Sequence, residues 1–81
     1  MPKKGNLLKR IVVDRHVLAG KPVVRGTRVP VDGIIQRVAE GQSFDEILED
    51  YPNIKKDDIR AALEYAVGLV RAEDIIPEIK S

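Results

Sequence analysis

The second half of the chain repeats its hydrophobic residues every three or four positions, which is the spacing of helices that bury one face. The first such run predicts a helix that begins at Pro30, a residue suited to a first helical turn, and stops at Gly41. Gly33 lies inside this helix, where a glycine costs roughly 1 kcal/mol relative to alanine. Its presence there indicates a close backbone contact.

Two more helices are predicted after the first. Ser43 and Glu46 have the spacing of a capping box, in which the serine hydroxyl and the glutamate carboxylate each accept from the other residue's backbone amide. The short second helix that begins there ends before Pro52. The third helix is longer and is predicted from near Lys56 to near Arg71 or Ala72, with an apolar face sustained over three turns.

The first thirty residues are patterned as short extended runs between turn residues. β-prone residues fill positions 11–13 and 22–24, and residues 28–29 precede Pro30, which disfavours helix in the residue before it. Strands this short need each other or a second copy of the chain. Residues 1–9 lack such a pattern and are expected to form a flexible basic tail.

The predicted architecture is therefore mainly α. A single three-helix domain of the helix-turn-helix type, homeodomain-like or winged-helix-like, is expected over residues 10–72. It carries short N-terminal β-strands and is followed by a C-terminal tail at residues 73–81. Other small helical bundles share this outline. A core formed by 81 residues is small, and such domains often dimerise to bury more surface.

Composition argues against several classes of function. The chain has no cysteine and a single histidine, His16, so we expect no disulfide and no metal site. The sequence shows no acid–base or nucleophile constellation, so we expect neither an enzyme nor a cofactor. No apolar run approaches the ~20 residues of a membrane span, which predicts a cytoplasmic protein without a membrane partner.

The net charge of +1 conceals an asymmetry between the two parts of the chain. Residues 1–30 carry eight basic residues and one acidic residue, whereas residues 31–81 carry six basic and twelve acidic residues. A basic arm on an acidic body favours an anionic partner, either nucleic acid or an acidic protein. The alternative is that the two parts attract each other within a dimer.

The stretch GKPVVRGTRVPV at residues 20–31, followed by EGQSFDEILEDYPNI and DDIRAALEYA, resembles the domain-of-unknown-function 433 family over about residues 10–70. The resemblance implies a small helix-turn-helix protein that dimerises. It also implies the antitoxin half of a toxin–antitoxin pair, whose usual partner is a small PIN-like ribonuclease. We therefore expect a protein that neutralises such a toxin and binds operator DNA as a dimer. The alternatives are a stand-alone DNA-binding regulator without a toxin and a purely structural adaptor.

Double-stranded DNA would be contacted from the basic arm and from the first turn of the third helix, which enters the major groove in a helix-turn-helix protein. The candidate DNA-binding residues are Lys9, Arg10, Arg15, Lys55, Lys56 and Arg60. Asp57 and Asp58 in the same turn would face a polyanion, and the alternative is that both only cap the helix.

A toxin partner would hold its metal with carboxylates, and the planar arginine fork pairs bidentately with carboxylates. The candidate partner-binding residues are Lys21, Arg25, Arg28, Ile75 and Ile76. In the alternative, Arg25 and Arg28 tie their loop to the acidic body, for example to Asp32 or Glu40, and the C-terminal tail packs on its own dimer. The dimer interface is expected to run through Val23, Val24 and Val29.

Overall fold

The computed structural model describes residues 4–71 as four α-helices and a two-stranded antiparallel sheet. In chain order these are α1 (Lys4–Leu8), β1 (Ile11–Val13), a 3-10 turn (Leu18–Gly20), β2 (Pro22–Val24), α2 (Val31–Ala39), α3 (Phe44–Asp50) and α4 (Lys56–Arg71). The prediction of a mainly helical fold with short N-terminal strands is confirmed. Its classification as a helix-turn-helix domain stays a prediction.

The sheet consists of β1 and β2 alone. The third extended piece expected at residues 28–29 is reduced to an isolated bridge between Val23 and Pro30. A hydrogen bond from the Val24 N–H to the Val29 carbonyl, at 3.0 Å, holds the same segment against β2. The chain therefore reverses tightly after β2 and enters α2 directly.

One apolar cluster joins the sheet to the three longer helices. Ile34 of α2, Ile47 of α3 and Ile59 of α4 are completely buried in it. Burying one such side chain stabilises a fold by roughly 1.5–3 kcal/mol. In a chain this small, these three residues are therefore a large part of what holds the helices together.

Two local features expected from the sequence are confirmed. The Ser43 hydroxyl accepts from the Glu46 N–H at 3.1 Å, and the Ser43 N–H donates to Glu46 Oε1 at 2.8 Å. At Gly33, a Cβ atom would lie 2.9 Å from the Tyr51 hydroxyl oxygen and 3.3 Å from Pro30 Cγ. The glycine therefore lies where α2 packs against Tyr51, the residue that follows α3.

The valines assigned to a dimer interface lie in the protein interior instead. Val23, Val24 and Val29 are each 5% exposed or less within a single chain. A side chain that its own chain already encloses offers no surface to a second copy, so the interface predicted through these residues is corrected. A homodimer stays a prediction, and it would have to use another surface.

The N-terminal segment also differs from the expected flexible tail. Residues 4–8 form α1, which packs against α4, and Leu7 is 8% exposed. The Arg10 N–H donates to the Leu7 carbonyl at 2.9 Å and closes the end of this helix. The predicted C-terminal contacts, Ile75 and Ile76, lie outside the described residues. Within residues 4–71, every helix is too short or too polar to cross a membrane.

Candidate functional site

A polar cleft of about 450 Å³ opens between the end of α1, the turn after β2 and the start of α4. Segments that are distant in sequence bring four basic side chains to its lining, namely Lys9, Arg10, Arg25 and Lys55. Asp58 is the one acidic residue in the lining, so the four basic groups leave an excess of three positive charges. We call this site the basic cleft.

Arg10 and Asp58 form an ion pair in the lining of the basic cleft. Arg10 Nη1 donates to Asp58 Oδ1 at 3.0 Å, and the Asp58 side chain also accepts the Lys55 N–H at 2.8 Å. Asp58 is buried, and a buried carboxylate is destabilising unless it is paired and hydrogen-bonded. The Arg10 guanidinium is therefore engaged in the fold, and Asp58 caps α4, as one of the sequence alternatives proposed.

The turn after β2 presents two arginines on a fixed backbone. The Thr27 hydroxyl and the Thr27 N–H both donate to the Val24 carbonyl, at 2.8 Å and 3.0 Å. Gly26 has a φ of +77°, in the left-handed region that glycine adopts without strain. The side chains of Arg25 and Arg28 are exposed on either side of this turn. We call residues 25–28 the arginine turn.

Arg25 links the arginine turn to the basic cleft. Its Nε donates to the Lys9 carbonyl at 2.8 Å, and its backbone N–H donates to the Arg10 carbonyl at 2.7 Å. The terminal nitrogens of Arg25 have no hydrogen-bond partner among residues 4–71. A guanidinium held this way loses less conformational freedom when it binds an anion.

The structure separates the six candidate DNA-binding residues into three groups. It brings Lys9, Arg10 and Lys55 together in the basic cleft, and it places Arg15 on the surface outside it. The two remaining basic residues, in the first two turns of α4, already have partners. Lys56 lies 3.5 Å from Asp45 of α3, and Arg60 donates to Asp57 at 3.0 Å. The start of α4 is therefore largely neutralised by carboxylates.

The candidate partner-binding residues also differ in whether they are already paired within the fold. Lys21 lies outside the basic cleft and pairs with Asp32 at 3.0 Å. Among residues 4–71, neither Arg25 nor Arg28 pairs with Asp32 or Glu40, the carboxylates suggested for the alternative; Asp32 binds Lys21, and Glu40 accepts from Gln36. Arg28 has no carboxylate within salt-bridge distance among the described residues.

A second charged cluster, which the sequence did not predict, fastens α2 to the end of α3. The Arg37 guanidinium lies 4.6 Å above the Tyr51 ring, and Arg37 Nε donates to Asp50 at 3.1 Å. Arg37 Nη1 also donates to the Gly33 carbonyl at 3.3 Å. The hydrogen bond to Asp50 raises the pKa of the Arg37 guanidinium above its ordinary value. This cluster acts on the fold, since it fixes the Tyr51 ring against α2.

The basic cleft contains amide side chains that the sequence did not indicate. Asn6 and Asn53 line it together with the basic residues. Asn6 reaches the cleft because α1 packs on α4. The sequence of α1 has no detectable periodicity, so this contact could not be predicted from it. Cationic groups and amide donors together are the chemistry of anion binding. Among residues 4–71, no three histidine or acidic side chains are grouped to hold a metal ion.

The fold and the cleft define a small, mainly helical domain with a two-stranded sheet and one strongly basic site. The chain matches the family described as Protein of unknown function (DUF433) over residues 11–66 and belongs to that family. The resemblance found in the sequence is confirmed.

Two relatives and one crystal structure are similar to this chain. An uncharacterized protein of Sinorhizobium fredii is 48% identical over 50 residues, which is 62% of this chain and 23% of that protein. An uncharacterized protein of Archaeoglobus fulgidus is 52% identical over 29 residues, which is 36% of this chain and 81% of that protein. The crystal structure of a DUF433 member from Anabaena variabilis superposes with a TM-score of 0.67 at 26% identity. The alignment covers 86% of this chain and 66% of that one.

Proposed function

We propose that this protein is an antitoxin-type binding module that neutralises a PIN-like ribonuclease by docking the arginine turn onto its acidic metal site. The observation that carries the proposal is the turn itself. Arg25 and Arg28 are exposed on a hydrogen-bonded backbone and have no carboxylate partner among residues 4–71. Two positioned guanidinium forks complement a cluster of metal-binding carboxylates in both charge and geometry.

The basic cleft extends the positive surface next to the arginine turn. Lys9 and Lys55 lie in the cleft lining and have no carboxylate within salt-bridge distance among the described residues. Unpaired cations beside a docking loop accelerate encounter with an acidic partner and orient it. Arg25 would therefore serve both surfaces, because its Nε is anchored on the Lys9 carbonyl.

Co-purification tests the antitoxin function directly. The tagged chain is co-expressed with the products of the reading frames that neighbour its gene, and the complex is washed with nuclease. We expect one small protein at a near-equal amount, whose cleavage of RNA falls when this chain is added. Recovery of the tagged chain alone would contradict the proposal.

Paired charge variants test the arginine turn. Arg25→Ala with Arg28→Ala should weaken binding of that partner at least about a hundredfold, because each truncation leaves a carboxylate unpaired in the interface. Arg15→Ala with Arg71→Ala removes the same charge from two exposed positions outside the arginine turn and should cost less than about threefold. Both pairs should keep a near wild-type melting temperature. If the two double variants weaken partner binding equally, the arginine turn is not part of the binding site.

DNA binding is the second candidate function, and one observation favours it. Lys9 and Lys55 line one cleft at the start of α4, the longest helix of the described residues. In this alternative α3, the turn at residues 51–55 and α4 act as a helix-turn-helix, and phosphates bind in the basic cleft. The homodimer and the cytoplasmic location remain part of both proposals, and sedimentation and cell fractionation would test them.

A further inference from the structure

The second half of α4 is apolar but not enclosed by the described residues. All buried residues of this helix lie before residue 63. Beyond that point, Val67 is 36% exposed and Val70 is 86% exposed. The apolar residues of α4 therefore continue past its buried part.

An apolar groove of about 220 Å³ lies against this part of the helix. It is lined by Pro22, Val31, Asp32, Ile35, Tyr65 and Leu69. Asp32 is the single charged member, and its carboxylate is bound by Lys21 at 3.0 Å. An apolar cavity of about 150 Å³ is large enough to hold benzene, so this groove has room for a branched aliphatic side chain.

We propose that the apolar groove is the docking site of the chain's own C-terminal segment, residues 72–81, and that one of the adjacent isoleucines Ile75 and Ile76 enters it. This segment follows directly on the helix that forms one wall of the groove. The inference goes beyond the proposed function, which uses the basic cleft and the arginine turn and does not involve this surface.

The length of the segment permits it to fold back. Leu69 lines the groove two residues before α4 ends at Arg71, and Tyr65 lies one turn earlier. Ile75 and Ile76 follow Arg71 by four and five residues. An extended chain covers at most roughly 3.3–3.6 Å per residue, so these side chains can reach back about 13–18 Å. Leu69 and Tyr65 are one helical turn apart, which is only about 5.4 Å, so both lie within the reach of Ile75 and Ile76.

The sequence of the segment favours a departure from the helix axis. Glu73 and Asp74 would place negative charge at the negative end of the α4 dipole, which opposes continuation of the helix. Pro77 cannot continue a helix either. A short tether gives the segment an effective concentration on the order of millimolar at the groove.

Methyl NMR on the full chain tests the docking. With isoleucine and leucine methyl groups labelled, we expect NOE cross-peaks from Ile75 or Ile76 to Ile35 and Leu69. Ile75→Ser with Ile76→Ser should abolish them and shift the Ile35 and Leu69 methyl resonances. Ile79→Ser, the same substitution beyond Pro77, should shift them much less.

Three results would overturn the proposal. Absent NOEs together with unchanged groove resonances in the double variant would show that the segment does not occupy the groove. NOEs seen only between differently labelled chains in a mixed sample would assign the groove to the segment of a second copy. Groove resonances that move with chain concentration, without NOEs from Ile75 or Ile76, would assign it to another surface of a second copy. None of these readouts involves a toxin, so they leave the proposed function untouched.

Discussion

At Gly33, a side chain would collide with the Tyr51 hydroxyl, whose oxygen is 2.9 Å from the position of a Cβ atom. The tyrosine ring cannot move aside freely, because Arg37 lies 4.6 Å above it and is itself bound to Asp50. Overpacking of this kind costs about 1–3 kcal/mol. The gain from replacing glycine by alanine inside a helix is about 1 kcal/mol. The collision therefore outweighs the gain in helix propensity.

We expect Gly33→Ala to lower the free energy of unfolding by about 1 kcal/mol, measured by urea titration. Gly68→Ala is the matched control, because a Cβ atom there meets nothing within 4 Å, and it should raise stability by up to about 1 kcal/mol. Adding Tyr51→Phe to Gly33→Ala removes the colliding atom and should restore most of the loss. Stabilisation by both alanines would disprove the close contact.

The short helix α3 depends on its N-terminal cap and on its packing. It spans seven residues, well below the roughly 12–15 at which an isolated helix becomes stable in water. Its support comes from the buried Ile47 and from the reciprocal hydrogen bonds of Ser43 and Glu46. Loss of the cap should affect more than this helix, because α3 also contains Asp50, which pairs with Arg37, and Asp45, which pairs with Lys56.

We expect Ser43→Ala to lower the free energy of unfolding by about 1 kcal/mol, because the Glu46 N–H loses its acceptor. Ser43→Asp supplies another acceptor and should be nearly neutral. Glu49→Ala, at an exposed position of the same helix, should stay within about 0.5 kcal/mol. Thermal unfolding compares the three variants, and an equal loss in all of them would contradict a role for the cap.

The elements that span several turns, or that lie between clear turn residues, could be predicted from the sequence. The third helix was expected from near Lys56 to near Arg71 or Ala72, and α4 runs from Lys56 to Arg71, because its apolar spacing is long enough to define one face. The five residues of α1 could not be predicted. A single buried residue, Leu7, produces no periodicity, and its burial depends on contact with α4.

Across the whole molecule, part of the charge asymmetry is cancelled inside one chain. Arg10 and Lys21 belong to the basic first thirty residues, and they pair with Asp58 and Asp32 of the acidic remainder. The sequence identified the basic residues of the site but could not show which of them are neutralised, since each pairing depends on the tertiary fold. Among residues 4–71, the unpaired cations that remain near one another are Lys9 and Lys55 of the basic cleft and Arg25 and Arg28 of the arginine turn.

If the protein binds DNA, this distribution of paired and unpaired cations predicts how its binding depends on salt concentration. Four cations in each chain, Lys9, Arg25, Arg28 and Lys55, would neutralise about four phosphates. The logarithm of the duplex-binding constant should therefore fall against the logarithm of salt concentration with a slope of roughly −3 to −4 for each bound chain, and about twice that for a dimer. Lys9→Ala with Lys55→Ala should make the slope shallower by about 2 for each bound chain.

Lys56→Ala with Arg60→Ala is the matched control, because it removes the same charge from cations that already bind Asp45 and Asp57. Paired cations release few counterions, so this variant should keep the slope of the unmodified chain. The opposite result, a slope that depends on Lys56 and Arg60 but not on Lys9 and Lys55, would mean that α4 breaks these ion pairs and enters the major groove as a recognition helix. A slope near zero in the unmodified chain would exclude the phosphate backbone as its anionic partner.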